Sequence, residues 1–589
     1  MAAGVPSLLY IQQIFWAFVG TAIGVAALAN ILNKVIYHRR ITSRSTTPNA
    51  AMPKSFFFRA HASMSAVIRE YGYYSLALTF RKTHFYLPPV GSTTILLSYI
   101  ALILVSCSYA FDPENILQWE DVGYRAGFIA ICQIPLVVLL AGKRNIIGFL
   151  TSVGYERLNW LHRWVARSLL LTVLIHMGFF ARKWVMFDYL TIKTQEDLLT
   201  IKGLIAGGIL LWLVLSSVAP IRNFSYEVFV VQHVISWLGF LIAVFVHVPA
   251  ENHIWIWLPL GFWAFDRVVR ASYLFYLNLG LLHKNSTGLA ACRATFEPLD
   301  EGNTRITIHM FLACHVVAPL SSHPSAIASL PSDGRIEFVV RAKRGATKKF
   351  FKYAEKAYPN LPSNSSPQNV GRSVLIDGPY ATIRPLRQFD SLVFLAGSTG
   401  ATFTTPLMRD IVQQWMGVTG PSTPFLDPPV GAVTRCIKFV WVVKRSSAVS
   451  WFASQLDQIV RDVEALRNQG QDIAVDINIY VTGEDGLSTS RSSTNGHGFE
   501  APGTLSEKDI TLNTISPSKL NNSSLLDSRI SILLSRPKVT NIIRRMAEAA
   551  LGEMAVVVNS AAMISDERGA HKGTGAQGIY VHAEAFGYA

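Results

Sequence analysis

The stretch Leu161–His176 reads LHRWVARSLLLTVLIH, an apolar run framed by two histidines. A second stretch, His233–His247, reads HVISWLGFLIAVFVH and is framed in the same way. The histidines have the same spacing in both stretches, from 162 to 176 and from 233 to 247. The separation in sequence between the two first histidines therefore equals that between the two second histidines. On a helix, 14 residues return to within about 40° of the same face and rise about 21 Å. Each stretch therefore presents two imidazoles on one face, near opposite surfaces of a membrane.

Imidazole in hydrocarbon is costly unless it has a partner, so these four histidines predict bound groups. If the two stretches run in the same direction, His162 faces His233 and His176 faces His247. Two facing imidazoles between apolar walls predict a bis-histidine haem, whose six-coordinate iron suits electron transfer. Two such sites fit across the about 30 Å of a bilayer core. A proton relay or a transition-metal transporter is the alternative use of the four histidines.

The composition divides the chain into two parts. Half of the 589 residues are apolar and 15% are charged, which is a membrane-like balance. Long apolar runs dominate residues 1–275, whereas the part from 285 onward resembles a soluble α/β protein, with the break near Asn285–Gly288. Since a membrane helix needs about 20 apolar residues, we predict seven spans, the first of them a retained helix rather than a cleaved signal peptide. These spans are 9–33, 93–110, 124–142, 158–181, 203–219, 227–249 and 254–273.

The charge distribution and the cysteines indicate the membrane topology and make some partners and sites unexpected. The net charge of +15 lies largely in short loops beside apolar segments, where it indicates topology, so nucleic acid is not an expected partner. Basic residues follow the first and third spans and end the seventh, and four acidic residues lie in loop 111–121. The N-terminus is therefore expected outside the cell and the C-terminal half in the cytosol. The five cysteines form no CxxC pair, so zinc sites and a disulfide framework are not expected.

Two segments of the membrane half resemble a known family. LHRWVAR at 161–167 and PIRNFSYEVFVVQH at 220–233 are similar to the membrane core of fungal ferric-chelate reductases, which share a superfamily with the NADPH oxidases. The resemblance covers roughly 120–589. It implies an all-α transmembrane di-haem bundle, followed by a cytosolic FAD-binding β-barrel and an α/β NADPH-binding domain of the ferredoxin–NADP reductase type. It also implies that Arg163, Arg167 and Arg222 seat the inner haem, for which simple cytosolic charge anchors are the alternative.

The predicted domains follow this plan. They are an N-terminal helix with a cytosolic loop (1–90), the di-haem domain (91–275), the FAD-binding barrel (285–385) and the NADPH-binding domain (386–589). Within the last domain, 484–527 is rich in Ser, Thr, Asn and Gly, and we predict a disordered insertion.

A flavin is expected because nicotinamide delivers hydrides whereas a membrane electron carrier needs single electrons. RITIHM at 305–310 and the run 335–351 predict strands of a small antiparallel barrel. The resemblance implies flavin contacts from His323 and Pro324, although Ser325 and Ala326 replace the family's Phe-Thr. It implies that Arg341, Gly345, Thr347 and Lys348 lie near the FAD phosphates, where basic and hydroxyl groups are suitable partners. It implies that Gly378, Pro379 and Tyr380 form the turn between the two soluble domains.

The nucleotide domain is expected to start with the apolar strand 391–396. Gly397-Ser398-Thr399-Gly400 then opens a helix, where backbone N–H groups can approach a phosphate. Lys444 and Arg445 end the strand within 439–452 and are expected at a 2′-phosphate, which favours NADPH over NADH. By resemblance, Arg536 contacts the nucleotide, Tyr588 stacks on the flavin, and Asn559 stands where the family has a cysteine near the nicotinamide.

Together these features predict an enzyme, an NADPH-dependent ferric-chelate reductase of the plasma membrane. Electrons would pass from cytosolic NADPH through FAD and two b-type haems to extracytosolic ferric or cupric chelates, with functional coupling to an iron-uptake system. The alternatives are a superoxide-producing NADPH oxidase and a non-redox metal or proton transporter. The seventh span and the equal spacings of the histidines favour the reductase over the oxidase.

Overall fold

A computed structural model gives the architecture. It describes residues 7–45, 49–80, 83–116, 118–278, 292–300, 302–310, 325–343, 345–357, 372–377, 383–418, 430–483, 527, 529–559 and 578–583. The predicted insertion 484–527 therefore lies outside the described residues, except for Asp527.

The first half of the chain is a helical bundle with one small hairpin of β1 (Ala77–Phe80) and β2 (Thr83–Tyr86). Its helices are α1 (Leu8–Thr42), α2 (Phe56–Tyr73), α3 (Val90–Ser108), α4 (Gln118–Ala141), α5 (Ile146–Thr151), α6 (Tyr155–Met186), α7 (Leu190–Gln195), α8 (Leu198–Ser216), α9 (Ala219–Arg222), α10 (Tyr226–His247) and α11 (Ile254–Asn278).

Within the described residues, six helices rather than seven are long and apolar enough to cross a membrane. They are α1, α3, α4, α6, α8 and α10. The seventh predicted span does form a helix, α11, but Asp266, Arg267 and Arg270 lie within it and leave an apolar run of only 254–265. The expectation of seven apolar spans was therefore wrong by one.

A buried polar network joins three of the spanning helices. The Tyr99 hydroxyl on α3 donates to Gln133 Oε1 on α4 over 2.8 Å, and Gln133 Nε2 donates to Thr172 Oγ1 on α6 over 3.0 Å. Gln133 and Thr172 are fully buried. Interhelical hydrogen bonds of this kind fix the register of neighbouring helices in an apolar bundle, where dispersion alone is not directional.

The flavin region is built on antiparallel strands, as predicted. The sheet order is β5-β4-β3-β6, with β3 (Cys292–Asp300), β4 (Asn303–Met310), β5 (Ile336–Arg341) and β6 (Arg372–Val374). The expectation of strand throughout 335–351 was wrong in its second half, because the chain turns at Gly345 (φ +61°) and forms helix α12 (Ala346–Ala357). The run ATKKFFKYAEKA places its apolar residues at helical spacing, which explains the change.

The nucleotide region has six parallel strands in the order β10-β9-β8-β7-β11-β12. Their bounds are β7 (Ser391–Gly397), β8 (Cys436–Val443), β9 (Ala474–Val481), β10 (Ser531–Leu533), β11 (Met554–Asn559) and β12 (Ile579–Ala583), and the helices are α13 (Ala401–Trp415), α14 (Ala453–Asn468) and α15 (Val539–Ala549). The order reverses between β7 and β11. Ligands of such sheets bind outside the carboxyl ends of the strands at this reversal.

Helix α11 joins the bundle to the flavin region. Arg270 Nε donates to Asp377 Oδ2 over 2.9 Å. Asn278 Nδ2 donates to the Ile376 carbonyl over 2.8 Å, and the Ile376 N–H donates to Asn278 Oδ1 over 2.8 Å. The segment that closes the flavin region is thus anchored to the C-terminal half of α11. The four domain boundaries drawn from the sequence stay predictions.

Candidate functional site

The structure brings the four membrane histidines together as two pairs. The rings of His162 and His233 have centroids 6.5 Å apart, and those of His176 and His247 are 6.4 Å apart. The pairs form in chain order, so α6 and α10 run in the same direction, as the sequence requires. Each pair therefore lies near one end of the two helices.

Neighbouring helices hold the imidazoles by their Nδ1 atoms. His162 donates from Nδ1 to the Val137 carbonyl over 2.8 Å, and His176 donates to the Gly123 carbonyl over 2.7 Å. Both acceptors belong to α4, and their spacing along the chain equals that of the histidines they bind. On the other side, α8 supplies the Leu199 carbonyl to His247 Nδ1 over 3.0 Å, and Ser217 Oγ lies 3.5 Å from His233 Nδ1.

Each pair would suit an iron ion held between its two imidazoles, as in a bis-histidine haem. An Nδ1–H that donates to a carbonyl leaves Nε2 of the neutral ring as the ligand atom, and such outer contacts orient metal-binding histidines. A metal–imidazole bond of about 2 Å on each side of one ion places two ring centroids about 6.4 Å apart. The observed distances of 6.5 and 6.4 Å match this value.

Two glycines give the imidazoles of His176 and His247 their space. A Cβ at Gly127 would lie 2.9 Å from His176 Cε1, and a Cβ at Gly203 would lie 2.7 Å from His247 Cε1. Each glycine follows the accepting carbonyl, of Gly123 or Leu199, by one helical turn. Sequence reasoning missed both positions, although glycine inside an apolar helix is a signal of close approach.

Basic residues lie at the end of the bundle that holds the His162 and His233 pair. Arg222 ends the short helix α9, and its Nε is buried without a hydrogen-bond partner among the described residues. The charge of Arg163 interacts with those of Arg222 and Arg167, and Arg167 also stacks on Trp164 at 4.8 Å. A buried guanidinium N–H without a hydrogen-bond partner, close to the charge of Arg163 beside His162, would suit the acidic substituents of a haem.

In the flavin region, the predicted phosphate contacts gather around one helix start. Arg341 ends β5, Gly345 makes the left-handed turn, and Thr347 and Lys348 lie in the first turn of α12. Thr347 Oγ1 accepts from the Lys343 N–H over 3.1 Å. A helix N-terminus flanked by basic side chains suits an anion. His323, Pro324, Gly378, Pro379, Tyr380 and Tyr588 lie outside the described residues.

In the nucleotide region, the predicted contacts share the carboxyl edge of the sheet. Gly397 ends β7 and Gly400 opens α13 at the point where the strand order reverses. Lys444 and Arg445 follow β8, and Arg536 follows β10.

Gly400 and Asn559 pack directly against each other at this reversal. A Cβ at Gly400 would lie 2.4 Å from the Asn559 carbonyl oxygen, so only glycine fits there. Asn559 Nδ2 is buried and has no hydrogen-bond partner among the described residues. A buried amide that lacks a partner at a ligand edge is suited to a polar group of the ligand.

The space at Gly203 yields a prediction for haem content. Gly203→Val should lose the outer haem and halve the haem-to-protein ratio, because the new side chain would occupy the position of the His247 ring. The matched control is Gly208→Val on the same helix, since a Cβ at Gly208 meets no atom within 4 Å. The haem-to-protein ratio is measured by optical titration of the purified proteins. Two haems in Gly203→Val would contradict the assignment.

The geometry agrees with the comparisons to known proteins. The chain matches the family descriptions "Ferric reductase like transmembrane component" over 126–244, "FAD-binding domain" over 302–384 and "Ferric reductase NAD binding domain" over 389–562. Together these matches cover more than half of the chain.

Curated relatives are similar over long stretches. Ferric reductase transmembrane component 3 of Saccharomyces cerevisiae is 24% identical over 64% of this chain and 53% of its own length. Probable cell surface ferric reductase kap2 of Aspergillus oryzae is 26% identical over 64% of this chain and 50% of its own. Ferric/cupric reductase transmembrane component 7 of Saccharomyces cerevisiae is 23% identical over 80% and 74%, respectively.

The chain spans about half the length of the first two of these relatives. The three family descriptions match the membrane, flavin and nucleotide parts of the chain, in that order. An apolar helical bundle followed by an FAD-binding and an α/β NAD-binding domain is the fold that the sequence predicts. The chain is a multi-pass membrane protein and belongs to the ferric reductase superfamily.

Proposed function

We propose that the chain is a transmembrane NADPH-dependent ferric-chelate reductase. It would move electrons from cytosolic NADPH, with FAD and two b-type haems as its redox groups, to ferric or cupric chelates outside the cytosol. The observation that carries the proposal is the pair of histidine contacts at 6.5 and 6.4 Å, stacked in one bundle that precedes a flavin and nucleotide module. The printed names of the relatives, ferric and ferric/cupric reductases, support the substrate class.

The residues of the bundle would hold two haems, which supply one-electron chemistry near each membrane surface. His162 and His233 would ligate the inner one, and His176 and His247 the outer one. The carbonyls of α4 and α8 orient these rings, and the apolar residues between the pairs exclude water from the space that separates them. Arg222 would donate its buried N–H to an acidic substituent of the inner group.

The soluble half would bind the electron source. The turn from Gly397 to Gly400 and the start of α13 would hold the NADPH pyrophosphate, with Lys444 and Arg445 at the 2′-phosphate and Arg536 as a further nucleotide contact. Asn559 would donate its amide to the nicotinamide end. FAD, which converts hydride into single electrons, would be held by the phosphate contacts Arg341, Gly345, Thr347 and Lys348, together with His323, Pro324, Gly378, Pro379, Tyr380 and Tyr588.

Topology and location follow from the same proposal. NADPH is a cytosolic donor, so the C-terminal half belongs in the cytosol and the N-terminus outside, in agreement with the basic residues that follow α1, α4 and the apolar part of α11. This topology needs an odd number of crossings, so α11, whose 25 residues are long enough to cross, would return the chain to the cytosol although it is less apolar than the other six helices. The plasma membrane is the proposed location, where lipid surrounds the bundle and extracellular chelates are accessible. Reduction of ferric iron there would serve an iron-uptake system.

The removal of one outer ligand tests the proposal. His176→Ala should bind one haem instead of two and still allow NADPH to reduce the flavin, whereas ferric-chelate reduction should fall by more than about tenfold. The control is His253→Ala, because His253 lies near the same surface but stacks on Phe245 at 4.0 Å, outside both pairs. Full chelate reduction in His176→Ala would refute the outer site.

The optical spectrum of the purified protein distinguishes the competing functions. A reductase of this design shows low-spin bis-histidine haem with two haems per FAD, whereas a metal or proton transporter shows none. Supplying NADPH with ferric chelate or with oxygen then separates a metal reductase from a superoxide-producing oxidase.

The choice between NADPH and NADH gives a separate prediction. Lys444→Ala should raise KM for NADPH about tenfold, the equivalent of about 1.4 kcal/mol, and leave KM for NADH unchanged, because only NADPH carries the 2′-phosphate. The control is Lys438→Ala within β8. The Lys438 ammonium pairs with Asp476, and Lys438 lies before the carboxyl end of the strand. Equal KM changes for both nucleotides in Lys444→Ala would remove Lys444 from the 2′-phosphate site.

A further inference from the structure

Helix α1 is longer than a membrane crossing requires. Its 35 residues extend about 52 Å, whereas a bilayer core is about 30 Å thick. The last turns therefore leave the bundle on the cytosolic side, well beyond the predicted span 9–33. There Arg40 Nη1 donates to Glu553 Oε2 over 2.7 Å and to the Gln388 carbonyl over 3.3 Å. Arg40 is 8% exposed and Glu553 is 3% exposed, so the pair is shielded from solvent.

The residues around Glu553 make it the centre of a basic cluster. Burial alone would raise the pKa of Glu553, but Arg40, Arg384 and Arg69 outweigh burial and hold the pKa below its ordinary value. Arg384 and Arg69 both lie over the ring of Tyr580, at 5.8 and 5.7 Å. Burial, together with Arg69, lowers the pKa of Arg384 to about 10. One carboxylate thus balances several guanidiniums from the N-terminal segment and the nucleotide region.

Further contacts attach the N-terminal segment to the same surface. The Tyr73 hydroxyl on α2 donates to the Val581 carbonyl over 3.0 Å. Ile41, Ala51 and Val433 form a small apolar core. We call the N-terminal side of these contacts the latch. It consists of the described residues 37–45, 49–51 and 69–73, and it includes Arg40, Ile41, Ala51, Arg69 and Tyr73.

The latch contacts the amino-terminal edge of the parallel sheet, opposite the edge with the candidate nucleotide site. Gln388 lies just before β7, Val433 just before β8 and Glu553 just before β11, so these contacts lie at the amino ends of the strands. The candidate NADPH contacts lie at the carboxyl ends. The latch therefore holds the domain without obstructing its ligand edge.

The flavin and nucleotide regions hold each other independently of the latch. Arg409 binds Asp333 through two hydrogen bonds of 2.7 Å. Arg305 Nη2 donates to the Trp451 carbonyl over 2.6 Å, and Ala328 and Val339 pack in the core of the nucleotide region. When the latch opens, these two regions should move as one unit relative to the bundle.

We propose that the latch fixes this unit against the bundle at the distance that electron transfer to the inner haem requires, with Arg40 and Glu553 as positioning residues. The inference rests on the proposed function. Domains of one chain move relative to each other unless their interface is large and apolar, and the latch supplies a buried ionic contact instead. Removing one member of a buried pair leaves the other charge unbalanced, so the contact should open.

The test uses the full-length protein with NADPH under anaerobic stopped flow, and it follows flavin and haem absorbance separately. In Arg40→Met and in Glu553→Gln, flavin reduction should stay within about twofold of the wild type, whereas haem reduction should slow at least about tenfold, since small misplacements are costly. The double variant should be no slower than the slower single variant, because the residues act as a pair. The control Arg409→Met breaks the flavin–nucleotide contact and should slow flavin reduction.

Other outcomes decide against the latch or against the proposed function. If both rates are unchanged, or fall together while haem and FAD content stay intact, the latch is refuted. Should a charge variant lose its cofactors, Tyr73→Phe is measured in its place, and an unchanged ratio of the two rates refutes the latch. Trypsin cleavage within 42–55 needs no redox group and should be faster in Arg40→Met. A wild type without haem, or with haem that NADPH does not reduce, refutes the function, and equal cleavage rates refute the latch.

Discussion

The four imidazoles inside the bundle depend on hydrogen bonds that their own helices cannot supply. In hydrocarbon, a ring nitrogen without a partner is costly, and each membrane histidine turns its Nδ1 toward a neighbouring segment, α4 for the histidines of α6 and the two ends of α8 for those of α10. This fixes the rotation of α6 and α10 and leaves Nε2 of each neutral ring as its ligand atom. Because the two acceptors on α4 have the same spacing as the two histidines they bind, α4 also fixes α6 along the membrane normal.

This constraint has a steric consequence on the outer side. An imidazole that donates to a carbonyl within a helix must come close to that helix. A Cβ on the residue one turn after the carbonyl would clash with the ring. Gly127 and Gly203 remove that Cβ beside His176 and His247. At the other pair, His162 and His233, the basic residues Arg163, Arg167 and Arg222 lie close to one another instead. The two ends of the bundle therefore differ in what surrounds their histidines.

How much could be predicted varies with how local each signal is. The equal spacing of the histidines predicts both pairs, since helical geometry alone relates the residues, and the strand before Gly397 predicts the ligand edge. The carbonyls of Val137, Gly123 and Leu199 could not be predicted, because any residue supplies a carbonyl and its partner is distant in sequence. The charges within α11 were counted as the end of a span, although they divide it. The latch had no signal beyond a run of basic residues after α1, which also marks topology.

The basic residues after the first span indicate the topology, and Arg40 among them also attaches the soluble half to the membrane half. Helix α11 holds the flavin region through Arg270 and Asn278, and α1 holds the nucleotide region through Arg40. One attachment alone would leave a hinge, since the soluble regions form a unit that could rotate about it. Two attachments from opposite ends of the membrane half remove that freedom while the carboxyl edge of the sheet stays open. Under the proposed function, NADPH bound there would exchange at each turnover without changing the distance between the soluble unit and the His162 and His233 pair.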